Sequence, residues 1–225
     1  MPMRPWRRLI ALLLFLVALT PCAAWADTAT FVVNTNSRAS FKTEAPLETI
    51  VGTVASPGGT PLPERAVTGT MNVDLAKPQD ARGTIKVDLN AVRTGVDRRD
   101  SHMRSKDFLD SEANDANRYA IFDVKQIELA GPLVPGKDVP AKIHGTFTVR
   151  GKPVDRQAEG TVTYIKLTPE QAEQQKRFGF TQDNLRVKMK FDTKFTNHDM
   201  KVPQLLILKL SDDILVETDL ILVKQ

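Results

Sequence analysis

The sequence contains few of the residues that form disulfides, metal centres and aromatic clusters. Its 225 residues include one cysteine, three histidines and two tryptophans, and aromatic residues make up only 6% of the chain. Cys22, Trp6 and Trp25 all lie in the first 26 residues. A lone cysteine cannot form an intramolecular disulfide, and it cannot build a zinc site from several cysteines. With 41% hydrophobic and 26% charged residues, the chain is instead typical of a folded protein that is stabilised by its core.

The amino terminus has the pattern of a secretory signal peptide. Three arginines precede an apolar run at 9–19, and Ala24-Trp25-Ala26 forms a small-x-small end. The run is far shorter than the roughly 20 residues that span a bilayer as a helix. We predict cleavage after Ala26, so that 1–26 is the signal peptide and 27–225 is the exported domain. The expected location is the periplasm.

Two other interpretations of this segment stay open. Leu19-Thr20-Pro21-Cys22 resembles a lipoprotein cleavage site, in which Cys22 carries the lipid, and Arg7-Arg8 resembles a twin-arginine signal. Proline directly before the cysteine fits a lipoprotein site poorly, and the very apolar centre favours the general secretory route.

Removal of the signal peptide leaves a nearly neutral chain. The whole sequence carries a formal net charge of +4, but three of its basic residues lie in the signal peptide, so the predicted mature chain is near +1. A nucleic-acid partner is not expected, because no strong basic excess remains. No later apolar run approaches the length of a membrane-spanning helix, so no transmembrane segment is expected in the mature chain.

Beyond the signal peptide, apolar and polar residues alternate with the period of two that is typical of β-strands. In the clearest run, Leu185 to Phe195, apolar residues and Thr193 occupy every second position. The residues between them are all charged. The run 143–149 and its return strand are predicted to form a hairpin with a turn at 150–153. Strands are also predicted at 29–33, 38–43, 49–54, 71–75, 85–89, 119–129, 159–167, 204–210 and 214–223. About ten strands at short spacing leave little room for crossover helices, so the predicted fold class is all-β, an antiparallel barrel or sandwich.

Two short helices are predicted between these strands. Thr168 is placed to cap a helix that starts at Pro169, Gln171 completes a capping box, and Gly179 can end the segment. A second short helix is predicted within Asp97–Leu109.

Strands with one apolar face must bury that face, and a sheet closed into a barrel does so. An outer-membrane barrel would turn its apolar residues outward and carry aromatic girdles. The predicted mature chain has no tryptophan and only two tyrosines, Tyr119 and Tyr164. We therefore predict a barrel that is apolar inside. The pattern alone leaves open whether side chains fill this interior or whether it holds a ligand cavity.

The segment from Thr94 to Asp110 carries a specific motif. It reads T-G-V-D-R-R-D-S-H-M-R-S-K-D-F-L-D and resembles the YceI-like family of exported bacterial lipid-binding proteins, whose pattern is T-G followed by R-D-x-H-[LM]-R-S-x-D-F-[LF]-D. The sequence departs from the family at Arg118, where proline is usual, and at Glu44, near a common histidine. Further segments that are similar to the family, in chain order, are Ser37 to Gly52, Ile121-Phe122, Phe147 to Gly151 and Arg177-Phe178-Gly179.

The resemblance implies an extended, lipocalin-like antiparallel β-barrel of about 8–10 strands over 27–225. It also implies that a long isoprenoid lipid, quinone-like or polyprenyl, lies in an apolar tunnel inside the barrel, with no other cofactor. Burial of hydrocarbon is worth about 0.8 kcal/mol per CH₂, so such a tail can bind without polar contacts. Ordering the flexible tail offsets part of that gain. The oligomeric state, monomer or homodimer, is left open.

The apolar residues of the predicted strands are the candidate lining of the tunnel. We expect roughly half of them to touch a ligand, while the others pack on each other or on the helix. The candidate lining comprises Phe41, Met71, Val73, Leu75, Ile85, Val87, Leu89, Phe122, Val124, Phe147, Val149, Val162, Leu185, Val187, Met189 and Phe191.

The motif also contains a dense group of charged residues. Arg98, Arg99, Asp100, His102 and Arg104 are the candidate cluster for a polar head group at the tunnel mouth, and arginine suits a phosphate. The favoured alternative is a salt-bridged loop that closes the barrel end, because structural ion networks are common. A metal site is not expected, since no cysteine and no second histidine lie nearby.

The favoured hypothesis is a non-enzymatic, exported protein that carries or stores an isoprenoid lipid. The sequence has no G-x-S-x-G elbow, no H-E-x-x-H helix and no Walker loop, so no catalytic residue is assigned. Two alternatives come from other classes. One is a structural or stress-response interaction module with a filled core, and the other is a hydrolase that uses the charged cluster.

Overall fold

The computed structural model describes residues 28–55, 65–205 and 208–225. The predicted signal peptide, with its cleavage site and Cys22, lies outside these residues. The strands are β1 (Thr28–Val33), β2 (Arg38–Glu44), β3 (Thr49–Ala55), β4 (Val67–Asp74), β5 (Arg82–Asp88), β6 (Tyr119–Leu129), β7 (Asp138–Val149), β8 (Lys152–Lys166), β9 (Asp183–Lys194), β10 (Gln204–Leu205), β11 (Leu208–Lys209) and β12 (Asp213–Lys224). The helices are α1 (Asp97–Arg104) and α2 (Pro169–Gln175). The predicted all-β class is confirmed.

Ten of the strands form one antiparallel sheet that closes into a barrel. Its order is β1-β4-β5-β6-β7-β8-β9-β12-β2-β3, and β1 also pairs with β12. This additional pairing closes a ring of eight strands, which are β1, β4 to β9 and β12. A closed ring has no free edge strand. The prediction of an antiparallel barrel is therefore confirmed.

β1 and β2 follow one another along the same side of β12. β1 pairs with the last residues of β12, and β2 pairs with residues nearer its start. At the break between them, the buried hydroxyl of Ser37 accepts from the Ile221 amide at 3.0 Å and donates to the Ile221 carbonyl at 3.2 Å. β1 thus closes one half of the barrel, whereas the β2–β3 hairpin extends the wall of the other half.

The two helices mark the two ends of the barrel. α1 lies between β5 and β6, at the end that also carries the β7–β8 turn and the segment between β9 and β12. We call this the α1 end. α2 lies between β8 and β9 at the opposite end, the α2 end. Within the described ranges, no helix is long and apolar enough to cross a bilayer.

The alternation in β9 shows how the strands build the core. Leu185, Val187 and Met189 are buried inside the barrel, whereas Lys188 is exposed on the outer face. β7 has the same period, because every second residue from Val139 to Val149 is buried. Apolar rows from neighbouring strands therefore meet in one continuous core.

The helices agree with their sequence signals. Thr168 Oγ1 accepts from the Gln171 amide, and the Gln171 side chain accepts from the Thr168 amide, so the predicted capping box is confirmed. A single 3₁₀ turn follows α2 and ends at Gly179, whose φ of 76° lies in the left-handed region. The helix predicted within 97–109 is present but ends at Arg104.

Two predicted strands have other bounds than expected. The strand predicted at 71–75 begins earlier, at Val67, and ends at Asp74, because the Asp74 side chain accepts from the Ala76 amide and its carbonyl accepts from the Lys77 amide, which starts a turn. The run at 204–210 contains only the short strands β10 and β11, and residues 206 and 207 lie outside the described ranges.

The turn of the β7–β8 hairpin is tighter than the predicted four residues at 150–153. Val149 pairs directly with Lys152, so Arg150 and Gly151 form a two-residue turn. Both have positive φ, 51° and 68°. This combination is typical of a type I′ turn, which matches the twist of an antiparallel pair.

Candidate functional site

A cavity extends along the inside of the barrel. Pro78 and Leu133 line it at the α2 end, and Phe195 and Met200 line it at the α1 end. The space open to the centre of a water-sized sphere is about 200 Å³. One water molecule needs roughly 10–15 Å³ on the same measure. The interior therefore keeps space that the side chains of the barrel do not fill.

The wall of this cavity is almost entirely apolar. Of the 40 described residues that line it, only Ser40, Thr193, His198 and Thr218 have polar side chains, and none is aspartate, glutamate, lysine or arginine. Water in such a space finds too few hydrogen-bond partners, so the cavity either stays dry or takes an apolar ligand.

Fifteen of the sixteen residues predicted to line a tunnel lie on the cavity wall. The exception is Leu75, which does not line the cavity and packs half-buried against the core. Its assignment to the wall was wrong, because the turn that begins at Asp74 ends the alternation one residue earlier. Contact between the fifteen residues and a ligand stays a prediction.

Phenylalanine rings shape the middle of the cavity. The ring centroids of Phe122 and Phe147 lie 5.4 and 5.0 Å from that of Phe191. The Phe122 ring lies over Gly145, where a Cβ would be only 2.4 Å from a ring carbon. Because glycine has no side chain, this ring can approach the wall closely and leave the lumen open.

Sequence reasoning missed the residues that close the cavity at the α1 end. Met103, Phe108 and Leu109 belong to the family motif and are buried on the cavity wall, as are Phe195 and Met200. The ring centroids of Phe108 and Phe195 lie 5.3 Å apart. All five lie in a helix or a loop. The period of two in the sequence extends only to Phe195, so only the fold could assign the other four.

The charged residues of the motif lie away from the cavity. Arg98 and His102 are exposed on α1, Arg99 forms an ion pair with Glu48 at 2.9 Å, and Arg104 is half-buried in the last turn of the helix. None of the five residues in the predicted head-group cluster lines the cavity. Their placement gives no support to a head-group site built from the whole cluster.

Asp100 is the buried member of that cluster and holds local structure. It is 2% exposed. Its Oδ1 accepts from the Thr94 amide at 2.9 Å and from Thr94 Oγ1 at 2.5 Å. Arg99 Nε donates to the same hydroxyl oxygen at 3.0 Å. These bonds tie the loop before α1 to the helix.

His198 lies on the cavity wall, although nothing in the sequence marked it. Its ring is fully buried, with Nδ1 3.1 Å from the Lys152 carbonyl and Nε2 3.0 Å from Thr193 Oγ1. A carbonyl can only accept, so Nδ1 carries the proton and Nε2 accepts from the Thr193 hydroxyl. Arg156 Nη2 donates to that hydroxyl oxygen at 3.2 Å. The cavity therefore has a polar patch at its α1 end.

We expect the free energy of unfolding to fall as the pH drops below about 6.5, the ordinary pKa of histidine. Burial lowers the pKa of His198; the bond to the Lys152 carbonyl opposes this shift, and the Arg156 charge adds to it. Between the pKa of His198 in the folded chain and its pKa in the unfolded chain, the unfolded chain therefore binds a proton that the folded chain does not. Stability is fully present above that window and declines through it on acidification.

Urea unfolding between pH 7.5 and 5 measures this dependence. His198→Gln should remove the part of the slope below pH 6.5, whereas His144→Gln should retain it, because His144 lies on the outer face beside Glu128. Identical slopes in wild type and His198→Gln would refute the assignment.

Other ionisable groups hold the strands of the wall together without lining the cavity. Burial raises the pKa of Tyr164 to about 12, and its hydroxyl donates to Asp183 at 2.5 Å. Arg186 donates two bonds to Asp219 at 2.8 and 2.7 Å across β9 and β12. In the described part of the chain, no group of three or more His, Cys, Asp or Glu side chains could hold a metal ion.

The barrel and its cavity define the class of the protein: a closed, lipocalin-like antiparallel barrel with an apolar interior. The sequence profile described as the YceI-like domain matches residues 31–222. The chain belongs to the YceI-like family, as the motif at 94–110 predicts.

Solved structures share this fold at low sequence identity. BcnA of Burkholderia cenocepacia is 14% identical with a TM-score of 0.58, and the match covers 82% of this chain and 95% of BcnA. A polyisoprenoid binding domain from Saccharophagus degradans, implicated in plant cell wall breakdown, is 15% identical with a TM-score of 0.58, covering 88% of this chain and 99% of the domain. The YCEI protein of Campylobacter jejuni is 16% identical with a TM-score of 0.50, covering 71% and 81%. A comparison with curated proteins yields no match.

Proposed function

We propose that the protein binds a long isoprenoid lipid, quinone-like or polyprenyl, inside its barrel and carries or stores it in the periplasm. The observation that supports this most is the apolar cavity along the barrel. Family membership, and the likeness to a structure described as a polyisoprenoid binding domain, support the choice of an isoprenoid. Export rests on the signal peptide predicted at 1–26.

The shape of the cavity favours an elongated hydrocarbon. Its lining residues on β9 run from Leu185 to Thr193, which is about 26 Å along a strand that rises roughly 3.3 Å per residue. Each CH₂ taken out of water contributes about 0.8 kcal/mol, so affinity increases with the length of the buried tail. A ligand with polar groups along its length would bind poorly, since each unpaired polar group costs about 1–3 kcal/mol.

The proposed role is binding and not catalysis. On the cavity wall, Thr193 and His198 form a pair that resembles a nucleophile and its base. A backbone carbonyl orients the ring, however, and a carbonyl stabilises an imidazolium less than the carboxylate of a catalytic triad does. Burial and the Arg156 charge also lower the pKa of His198, so this ring is a weak general base.

Protein purified from an isoprenoid-producing bacterial host that exports it is expected to contain close to one isoprenoid molecule per chain. Organic extraction followed by mass spectrometry identifies the lipid. Delipidated protein should melt at a higher temperature when polyprenol is added. At a ligand concentration of 100 times Kd, the stabilisation is about 2.7 kcal/mol, which corresponds to about 5–11 °C for a chain of this size.

The outcomes separate the parts of the proposal. An extract of straight-chain fatty acids alone would retain lipid binding and refute the isoprenoid assignment. An empty extract together with an unchanged melting temperature would contradict the proposal as a whole. That result would favour the alternative of an interaction module. Transfer of labelled polyprenol between vesicles distinguishes the two roles, since a carrier accelerates transfer and a storage protein retains the lipid.

A further inference from the structure

Three buried side-chain nitrogen atoms in the described part of the chain have no hydrogen-bond partner, and all three belong to arginines. They are Arg104 Nη1, Arg150 Nε and Arg156 Nε. A buried donor without an acceptor costs about 1–3 kcal/mol, and more when the group is charged. Such groups are rare in native structures and call for an explanation. All three arginines belong to elements at the α1 end of the barrel.

Arg156 does not line the cavity, but one of its hydrogen bonds reaches a residue of the cavity wall. It lies on the same face of β8 as Ala158 and Val162, which line the cavity, and its Nη2 donates to Thr193 on the wall at 3.2 Å. Its Nη1 donates to the Asp155 carbonyl at 2.9 Å. A guanidinium has five N–H donors. Nη1 and Nη2 each have one partner in the protein, whereas the buried Nε has none.

Arg150 lies at the tip of the same hairpin. Its Nη1 donates to the Asp199 carbonyl at 3.0 Å. Arg150 and Asp199 both adopt left-handed backbone conformations, with φ of 51° and 54°. At Arg150 this conformation is the one that the type I′ turn of the hairpin requires.

The charges around this hairpin favour an anion. Among the described residues, no carboxylate lies within 4.0 Å of the Arg156 guanidinium, and Asp199 is paired with Lys152 at 2.5 Å. Lys152 lowers the pKa of the Asp199 carboxyl, and Arg150 contributes to that shift. The two arginines therefore share at most one carboxylate, which is already paired with a third cation.

We infer that the α1 end of the cavity is a subsite for an anionic head group, a carboxylate or a phosphate, with Arg156 as its main contact and Arg150 beside it. A planar guanidinium binds either anion through two parallel hydrogen bonds. The tail then extends from Thr193 and His198 toward the α2 end. This inference rests on the proposed function and deepens it, because it names the chemistry of the head group.

The test compares two ligands with the same C20 chain, geranylgeranyl phosphate and geranylgeraniol, by titration calorimetry on delipidated protein. The phosphate is expected to bind wild type at least tenfold more tightly than the alcohol. Arg156→Gln should remove this preference and leave the affinity for the alcohol within twofold. The matched control is Arg82→Gln, which makes the same charge change at the α2 end, where Arg82 donates to the Ala81 carbonyl.

Each result decides one point. Equal affinity of the two ligands for wild type overturns the subsite without any variant, and it leaves the proposed function standing. An equal loss of affinity for both ligands in Arg156→Gln also overturns the subsite, because the residue would then act only on the fold. Inorganic phosphate alone is expected to bind at least tenfold more weakly than the lipid phosphate, and equal binding would assign the site to a free anion. Failure of both C20 ligands to bind contradicts the proposed function itself.

Discussion

Replacing Val187 by tryptophan is expected to reduce the isoprenoid that copurifies with the protein at least tenfold. Val187 lies on the cavity wall, in register with Val162 of β8 and Leu220 of β12, which also line the cavity. An indole at this position occupies the space through which the tail passes. The barrel should still fold, because the larger side chain enters existing space and does not displace packed neighbours. The lipid content of extracts from equal amounts of protein measures the effect.

Lys188→Trp is the matched control for this prediction. Lys188 follows Val187 directly and is exposed on the outer face of β9, so the same indole is added outside the cavity. Its lipid content should equal that of wild type. The predicted mature chain has no tryptophan, so fluorescence reports each indole separately, with blue-shifted emission at 187 and solvent-exposed emission at 188. A full lipid load in a folded Val187→Trp protein with blue-shifted emission would show that the lipid lies elsewhere.

Gly160→Ala is expected to destabilise the protein by about 3 kcal/mol, at the upper end of overpacking effects. A Cβ at this position would lie 1.9 Å from the Lys188 carbonyl oxygen and 3.0 Å from the Met189 Cα. These are backbone atoms of the paired strand β9, so they cannot move aside as a side-chain terminus can. For a chain of this size, the melting temperature should fall by about 6–12 °C.

The control for this change is Gly131→Ala in the β6–β7 loop. A Cβ there meets no atom within 4 Å. Its effect should be neutral or stabilising by up to about 1 kcal/mol, because alanine restricts the unfolded chain more than glycine does. Calorimetric unfolding of the two variants gives the comparison directly. Equal melting temperatures would mean that β8 and β9 can separate at no cost, contrary to the close approach at Gly160.

The inner face of the barrel was predictable from local patterns. In β9, charged residues between Leu185 and Phe191 identify the apolar positions as the buried face, and the structure places these apolar residues on the cavity wall. Leu75 shows where an alternating pattern fails to predict the inner face. The alternation continues to this residue, but the side chain of Asp74 bonds to the backbone two residues later and turns the chain away.

The polar end of the cavity could not be predicted in the same way. His198 reaches the wall only because the chain after β9 folds back on the β7–β8 hairpin and bonds to Lys152, 46 residues earlier. Arg156 shares an inward face with Ala158, yet a charged residue in an alternating strand normally indicates the solvent side. In the motif around α1, the charged side chains indicated a head-group site, whereas the buried apolar residues are the ones that line the cavity.

Sequence alone determined the family, the strands with their inner and outer faces, and the capped helix α2. These features depend on neighbouring residues, because strand periodicity, capping and turn formation act within a few positions. Tertiary structure decided that β1 closes against β12, that the interior is open, and that arginine and histidine side chains meet at one end. Those features depend on how closely strands distant in the sequence approach each other. Such distances are set by packing at positions such as Gly145 and Gly160, and no local pattern encodes them.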